Sequence, residues 1–180
     1  MSEPPNEFPA LLRVYVVDTS AVLEIKSQVP LAAQWHLFHG LSVLLQRGAI
    51  AFPVQVRSEI VRAKYPDGPG VWIAAHKGTE RHPQPEDDVL AEVLAAAPKL
   101  VDPFAEDEDA DPYVVAMALT ISRRLPTAAV RVATRDTVDR LPIKTSLKSA
   151  CDRLGVECCS PEEFLEWARA EIDWLLALGA

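Results

Sequence analysis

Four acids are placed where carboxylates could do chemistry: Asp18, Glu59, Asp111 and Asp136. In the stretch VYVVDTSAVLEI, four apolar residues run straight into Asp18, which is followed by Thr19, Ser20 and a second apolar run. Asp136 closes AVRVATRD, Asp111 precedes Pro112 at the head of DPYVVAMALTISRR, and Glu59 lies beside the apolar positions Val56 and Ile60. Carboxylates gathered together repel, and each raises the pKa of the next, so the group is stable in its ionised form only around a cation. Oxygen donors that leave room for water suit Mg²⁺ or Mn²⁺. An ion so held can polarise a phosphoryl oxygen and activate water for in-line attack on a phosphodiester.

Taken singly, each acid has a plainer reading. Asp18 could open a turn or cap a following helix, Asp111 could be an N-cap, Glu59 could pair with Arg62 at i,i+3 on a helix surface, and Asp136 could be a loop acid. Other constellations fail on their own chemistry. Asp107, Asp109 and Asp111 imitate the start of a calcium-binding EF-hand loop, but Pro112 replaces the required glycine and Ala118 the closing Glu. The order Asp18, Thr19, Ser20 lacks the second Asp of a phosphatase that works through an aspartyl phosphate. No GxGxxG or GxxxxGK[ST] phosphate loop is present, and His36 and His39 share a helical face without a third zinc ligand.

The elements that must position the acids follow from the apolar pattern. Arg13 to Val17 reads as a strand buried on both faces, leaving Asp18 at its carboxyl end. Leu31 to Arg47 is a long helix between Pro30 and Gly48 despite its internal Gly40. Ala49 to Phe52 reads as a second strand, and Pro53 opens the helix PVQVRSEIVRAK that carries Glu59. Helices are expected over Val71 to His76 and Asp87 to Ala97, and another behind Asp111 and Pro112 as N-cap and N1. Ala129 to Thr134 is a strand, Ile143 to Leu154 a helix ended by Gly155, and Val156 to Cys159 a last strand. Ser160 and Glu163 make a capping box for the final helix. On that helix Phe164, Ala168, Ile172 and Leu175 form a core stripe, with Trp167 and Trp174 on another face.

Alternating strands and helices predict an α/β fold: a three-layer α/β/α sandwich on a central, mainly parallel sheet. In such sheets ligands bind outside the carboxyl ends of the strands. Asp18, Asp136 and the helix start at Asp111 all fall on that edge, so the four acids are expected to be neighbours.

At 180 residues and 49% hydrophobic content the chain suits one domain, residues 11–180, behind a tail of about ten residues. No apolar run is long enough to span a membrane, and MSEPPNEFPA lacks the features of a signal peptide, which predicts a cytoplasmic protein. Cys151, Cys158 and Cys159 offer neither a disulfide framework nor zinc spacing, so reduced thiols are expected. The net charge of −8 argues against holding nucleic acid by overall charge, but the charge is polarised. Asp102 to Asp111 carries six acids and no base, the composition of a solvated loop, whereas Arg123 to Lys148 carries seven bases.

The ordered set of a strand ending in DTS, a helical SEI, DPYVVAMAL and a strand ending in ATRD resembles the PIN domain, the metal-dependent ribonuclease fold of VapC-type toxins. The likeness runs from about Val14 to Phe164 and is closest to a PIN-like branch with a longer middle, in which a Trp-containing segment such as VWIAAHKG precedes the third acid. It implies that Asp18, Glu59, Asp111 and Asp136 line a Mg²⁺ or Mn²⁺ site. It also implies that Thr19, Ser20 and Thr134 hold the carboxylates or a bound water by hydrogen bonds. Asp109 and Asp139 are the substitutes if the register shifts by a step. Arg135, Arg140, Lys144 and Lys148 are the candidates for RNA phosphates.

The expected activity is thus metal-dependent endoribonuclease, the toxin of a toxin–antitoxin pair, with an antitoxin protein and a homodimer as partners implied by the same likeness. Two alternatives stand beside it. One is a PIN-like module that binds protein or RNA without cutting, and the other a metal-dependent phosphatase.

Overall fold

The computed structural model describes residues 12–62, 67–102 and 108–177. The expected tail and the tip of the acidic run lie outside these residues.

A continuous apolar run with every side chain after Arg13 buried makes β1 (Arg13–Val17) the centre of the sheet. It pairs in parallel on one side with β2 (Ile50–Ala51) and on the other with β3 (Ala129–Ala133), which pairs with β4 (Glu157–Cys159). The sheet is all-parallel in the order β2-β1-β3-β4. From β1 the chain moves outward to β2, and from β3 it moves the opposite way to β4. The strand order therefore reverses between β1 and β3, the place where an open α/β sheet leaves a crevice at its carboxyl edge.

Helices cover both faces of the sheet, giving the three-layer sandwich. One layer holds α1 (Thr19–Gln28), α2 (Leu31–Arg47), α3 (Val54–Val61), α4 (Gly68–Ala75) and α8 (Pro161–Ala177). The other holds α5 (Asp87–Ala96), α6 (Asp111–Arg124) and α7 (Leu147–Leu154). One continuous hydrophobic core draws on both layers, and α6 is sunk deepest in it, with Val114, Val115, Met117 and Ile121 all buried. No helix among the described residues is long and apolar enough to cross a membrane.

Helix ends follow their local chemistry. The cap of α2 is Gly48 in the left-handed region, φ 78°, where a side chain is strained. Its Gly40 has a different purpose: a Cβ there would meet Ile172 Cδ1 at 2.4 Å, so glycine is what allows α2 and α8 to cross closely. The capping box at α8 is reciprocal, with Ser160 N donating to Glu163 Oε2 at 3.1 Å and Glu163 N donating to Ser160 Oγ at 3.2 Å. Phe164, Ala168, Ile172 and Leu175 are buried as their spacing predicts, whereas the tryptophan face divides. Trp167 stacks on Tyr15 at 4.3 Å and Trp174 is exposed.

Three expectations need correction. Helix α7 begins at Leu147, because residues 140–146 are held by a bridge between Arg140 and Lys144 and by Asp139, and Ser146 caps the helix by accepting from Ser149 N. Helix α4 begins three residues early, at Gly68, because Asp67 caps it. At α6 the N-cap is Ala110 with no side-chain bond, and Asp111 is the first helical residue. Its carboxylate is engaged elsewhere. The three cysteines are free thiols.

Candidate functional site

Asp18 leaves the sheet at the point where β1 and β3 run side by side, in the register Val17 opposite Ala133, and Asp18 N donates to Ala133 O at 3.2 Å. Its side chain turns inward, 3% exposed, and caps α1 by accepting from Ala21 N at 2.7 Å. Ser20 Oγ donates to it at 2.8 Å, and Thr134 Oγ1, one residue beyond β3, donates to Oδ2 at 2.5 Å. Burial nevertheless pushes the Asp18 carboxyl from the ordinary 3.8 up to about 6, with the three donors opposing the shift and Asp136 adding to it. Capping explains the local bonds; it does not explain why the carboxylate is buried beside a second acid.

Asp136 follows in the turn after β3. Asp136 N donates to Thr134 Oγ1 at 2.9 Å, and its carboxylate accepts from Leu147 N at 2.9 Å at the start of α7. Thr134 thus bonds both acids at once. Glu59, on α3, accepts from the Thr19 hydroxyl and, at 2.8 Å, from Ala110 N. It ties α3 to the first turn of α1 and to the start of α6, and so connects the second acid to the first and third. The hydroxyls of Thr19, Ser20 and Thr134 therefore all rest on carboxylates.

Asp111, at the head of α6, is raised above the ordinary value by burial first and by Asp109 next, with Asp18 contributing, while Lys144 pulls the other way. The Lys144 ammonium lies 2.7 Å from Asp111 Oδ2 and 2.8 Å from Asp109 Oδ2. All three side chains are largely buried, at 11% exposure for the lysine and 17% and 10% for the two acids. The carboxyl-terminal part of the acidic run is thus an internal ion cluster, not the solvated loop that its composition predicts. Asp139 is committed to the backbone: it accepts from Ser146 N at 2.8 Å and Ser146 Oγ at 2.7 Å, which lowers its pKa and anchors the approach to α7.

Thr134 joins Asp18 to Asp136, and Glu59 joins the head of α1 to that of α6, so these hydrogen bonds gather the acid-bearing elements at the switch point of the sheet. Among the described residues no three His, Cys, Asp or Glu side chains stand together as a ready-made ligand set. Mg²⁺ asks for less than that, since it keeps several waters and is commonly held through one or two carboxylates. Asp18 and Asp136 meet this requirement with oxygen donors alone, and a buried carboxyl driven upward is one that a cation would relieve.

The basic residues expected to meet phosphate are mostly spoken for. Arg135 pairs with Glu24 at 2.9 Å and Glu162 at 2.5 Å, Lys148 with Asp152 at 2.6 Å, and Lys144 with the acids. The Arg140 side chain is exposed and in no ion pair among the described residues. Lys144 is the site residue whose role the sequence hides, because its partners lie 33 and 35 positions away with no local pattern to join them. Elsewhere, an apolar hollow of about 400 Å³ opens between α2 and α4, lined by Trp35, Phe38, Trp72 and the hydrogen-bonded pair Ser42 and His76. None of the acids lines it.

Residues 15–172 match a protein family described as a domain of unknown function, DUF4411, a match that takes in all four acids and Lys144. None of the curated proteins matches the chain.

Proposed function

This chain belongs to the DUF4411 family, and we propose that it is a PIN-like, metal-dependent endoribonuclease whose site is the acidic crevice between β1 and β3. The observation that carries the reading is Asp18: a buried carboxylate at the carboxyl end of the central strand, pushed up to about 6 by burial and by Asp136. Structural capping does not require that second acid. Asp18 and Asp136 would hold a Mg²⁺ or Mn²⁺ ion, with Asp111 and Glu59 completing its acidic surroundings. When bound, the ion supplies Lewis acidity toward a phosphoryl oxygen and acidifies water for attack on the phosphodiester.

The chain's own residues prepare that chemistry. Thr134 and Ser20 fix the direction of the Asp18 carboxylate, and Thr134 sets Asp136 beside it. Glu59 locks the heads of α1 and α6 in one arrangement. Arg140, which is exposed and follows Asp136 in the chain, would be the group to meet a phosphate of the substrate. An acidic crevice of this kind also suits a protein partner that brings a basic side chain, as an antitoxin would; homodimer formation and a cytoplasmic setting belong to the same proposal.

Purified protein tests the reading on mixed cellular RNA. Cleavage is expected with Mn²⁺, is lost with EDTA, and is lost in Asp18→Asn protein that folds normally. Cleavage retained by that variant sinks the assignment. A second reading has its own observation: with no ready-made set of three ligands among the described residues and with Lys144 against Asp111, the crevice could serve a non-catalytic binding module. Folded protein without measurable Mn²⁺ affinity would favour it.

A further inference from the structure

Lys144 is unusual among the cations near the crevice in being fixed from every side. Its backbone is held by Arg140 N donating to Lys144 O at 2.8 Å and Lys144 N donating to Arg140 O at 3.1 Å. The next residue is tied across to the α5–α6 side by Thr145 N donating to Lys99 O at 2.7 Å. The side chain then delivers its ammonium to Asp109 and Asp111, both themselves anchored: Asp109 Oδ1 accepts from Asp111 N at 3.1 Å. Burial works against the lysine's charge, but Asp111 and Asp109 outweigh it and keep it protonated.

Enzymes that cut phosphodiesters with two ions use the pair to balance charge on the attacking and leaving oxygens, and both ions need carboxylates of their own. In this chain the carboxylates divide into two sets. Asp18 and Asp136 are held by hydroxyl and backbone donors, while Asp109 and Asp111 already share a cation. A second divalent ion at Asp111 would have to expel an ammonium that makes two charge-assisted bonds and has almost no exposed surface to retreat into. Expulsion would leave that charge without its partners, which is costly for a buried ion.

Resting on the nuclease reading above, we propose that Lys144 is a built-in replacement for the second cation, so that the site takes one divalent ion per chain, at Asp18 and Asp136. The lysine supplies a permanent positive charge beside the ion, and Asp109 and Asp111 serve to hold that lysine in place. Asp111 is then a positioning residue for Lys144 before it is a ligand.

Titration of the full chain with Mn²⁺, followed by electron paramagnetic resonance, tests this without reference to activity. The wild type is expected to bind one Mn²⁺ with the six-line spectrum of an isolated ion. Lys144→Gln protein, with its fold checked by circular dichroism, is expected to admit a second Mn²⁺ and to show exchange coupling; Lys144→Arg protein keeps to one. Two coupled ions in the wild type overturn the proposal while leaving a metal-dependent nuclease intact, as does a Lys144→Gln protein that still takes one ion with unchanged affinity. If Lys144→Gln fails to fold, the counts for the wild type and Lys144→Arg decide. Absence of Mn²⁺ binding in every folded protein overturns the nuclease reading as well, a result distinct from two ions.

Discussion

The Asp18 carboxylate accepts from a backbone N–H and two hydroxyls and still has a pKa well above the usual value, so burial and the neighbouring acid outweigh three donors. The folded chain thus holds the Asp18 proton more tightly than the unfolded chain does. Below about pH 4 both states are protonated and there is no penalty. As pH rises from about 4 to 6 the unfolded state ionises first, and stability falls by ~3 kcal/mol, at about 1.4 kcal/mol per pH unit. Asp18→Asn removes this dependence. Urea denaturation in EDTA is therefore expected to show the variant gaining on the wild type by ~2–3 kcal/mol between about pH 4 and about pH 7.5; a constant difference between the two proteins would contradict it. Thr134 is the second informative residue, since its hydroxyl donates to Asp18 and accepts from Asp136 N. Thr134→Val keeps the shape and leaves a buried carboxylate short of a donor and a backbone N–H without its acceptor. Loss of roughly 1–3 kcal/mol at about pH 7.5 is expected by the same measurement. An unchanged midpoint would mean that water replaces the hydroxyl.

At the scale of elements, the contact between α2 and α8 turns on a missing side chain. Alanine normally favours a helix over glycine by about 1 kcal/mol, yet a Cβ on residue 40 would lie 2.4 Å from two carbons of Ile172. Gly40→Ala is expected to destabilise the protein by ~1–3 kcal/mol through overpacking. Adding Ile172→Ala should make the alanine at position 40 neutral or favourable, a coupling that a double-mutant cycle reads directly. Additive effects would place the strain elsewhere. The sequence marks the bounds of α2 and α8 clearly, because Pro30, Gly48 and the Ser160–Glu163 box act within a few residues. It misplaces the start of α7, where Ile143, Leu147 and Ala150 keep a helical spacing. Ile143 is 48% exposed, and residues 140–146 instead satisfy their backbone through a bridge, a long-range bond to Lys99 and the Asp139 side chain. Such partners leave no periodic trace. The same limit applies to the site: acids at strand ends are legible as candidates, whereas the ion pairs of Lys144 with Asp109 and Asp111 depend on how α6 and the segment before α7 pack.

For the molecule as a whole, a net charge of −8 combined with ion-paired bases implies weak electrostatic attraction for nucleic acid. Binding of labelled single-stranded RNA to Asp18→Asn protein is expected to depend shallowly on salt, with a log–log slope of about −1.4 to −2.1, equivalent to two or three phosphates at roughly −0.7 each. A much steeper slope would reveal a basic surface that the ion pairs conceal. The parallel pairing of β1 with β3 has a further consequence, concerning time instead of geometry. The Thr134–Asp18 bond joins residues 116 positions apart, and the whole intervening chain must be made before it can close. During synthesis Asp18 emerges well before Asp111, Asp136 and Lys144. A nascent chain that has not yet reached Thr134 has the first acid but lacks Thr134, Asp136 and Lys144. The crevice can therefore assemble only once residue 144 has been made, so its acids stay apart for most of the chain's synthesis.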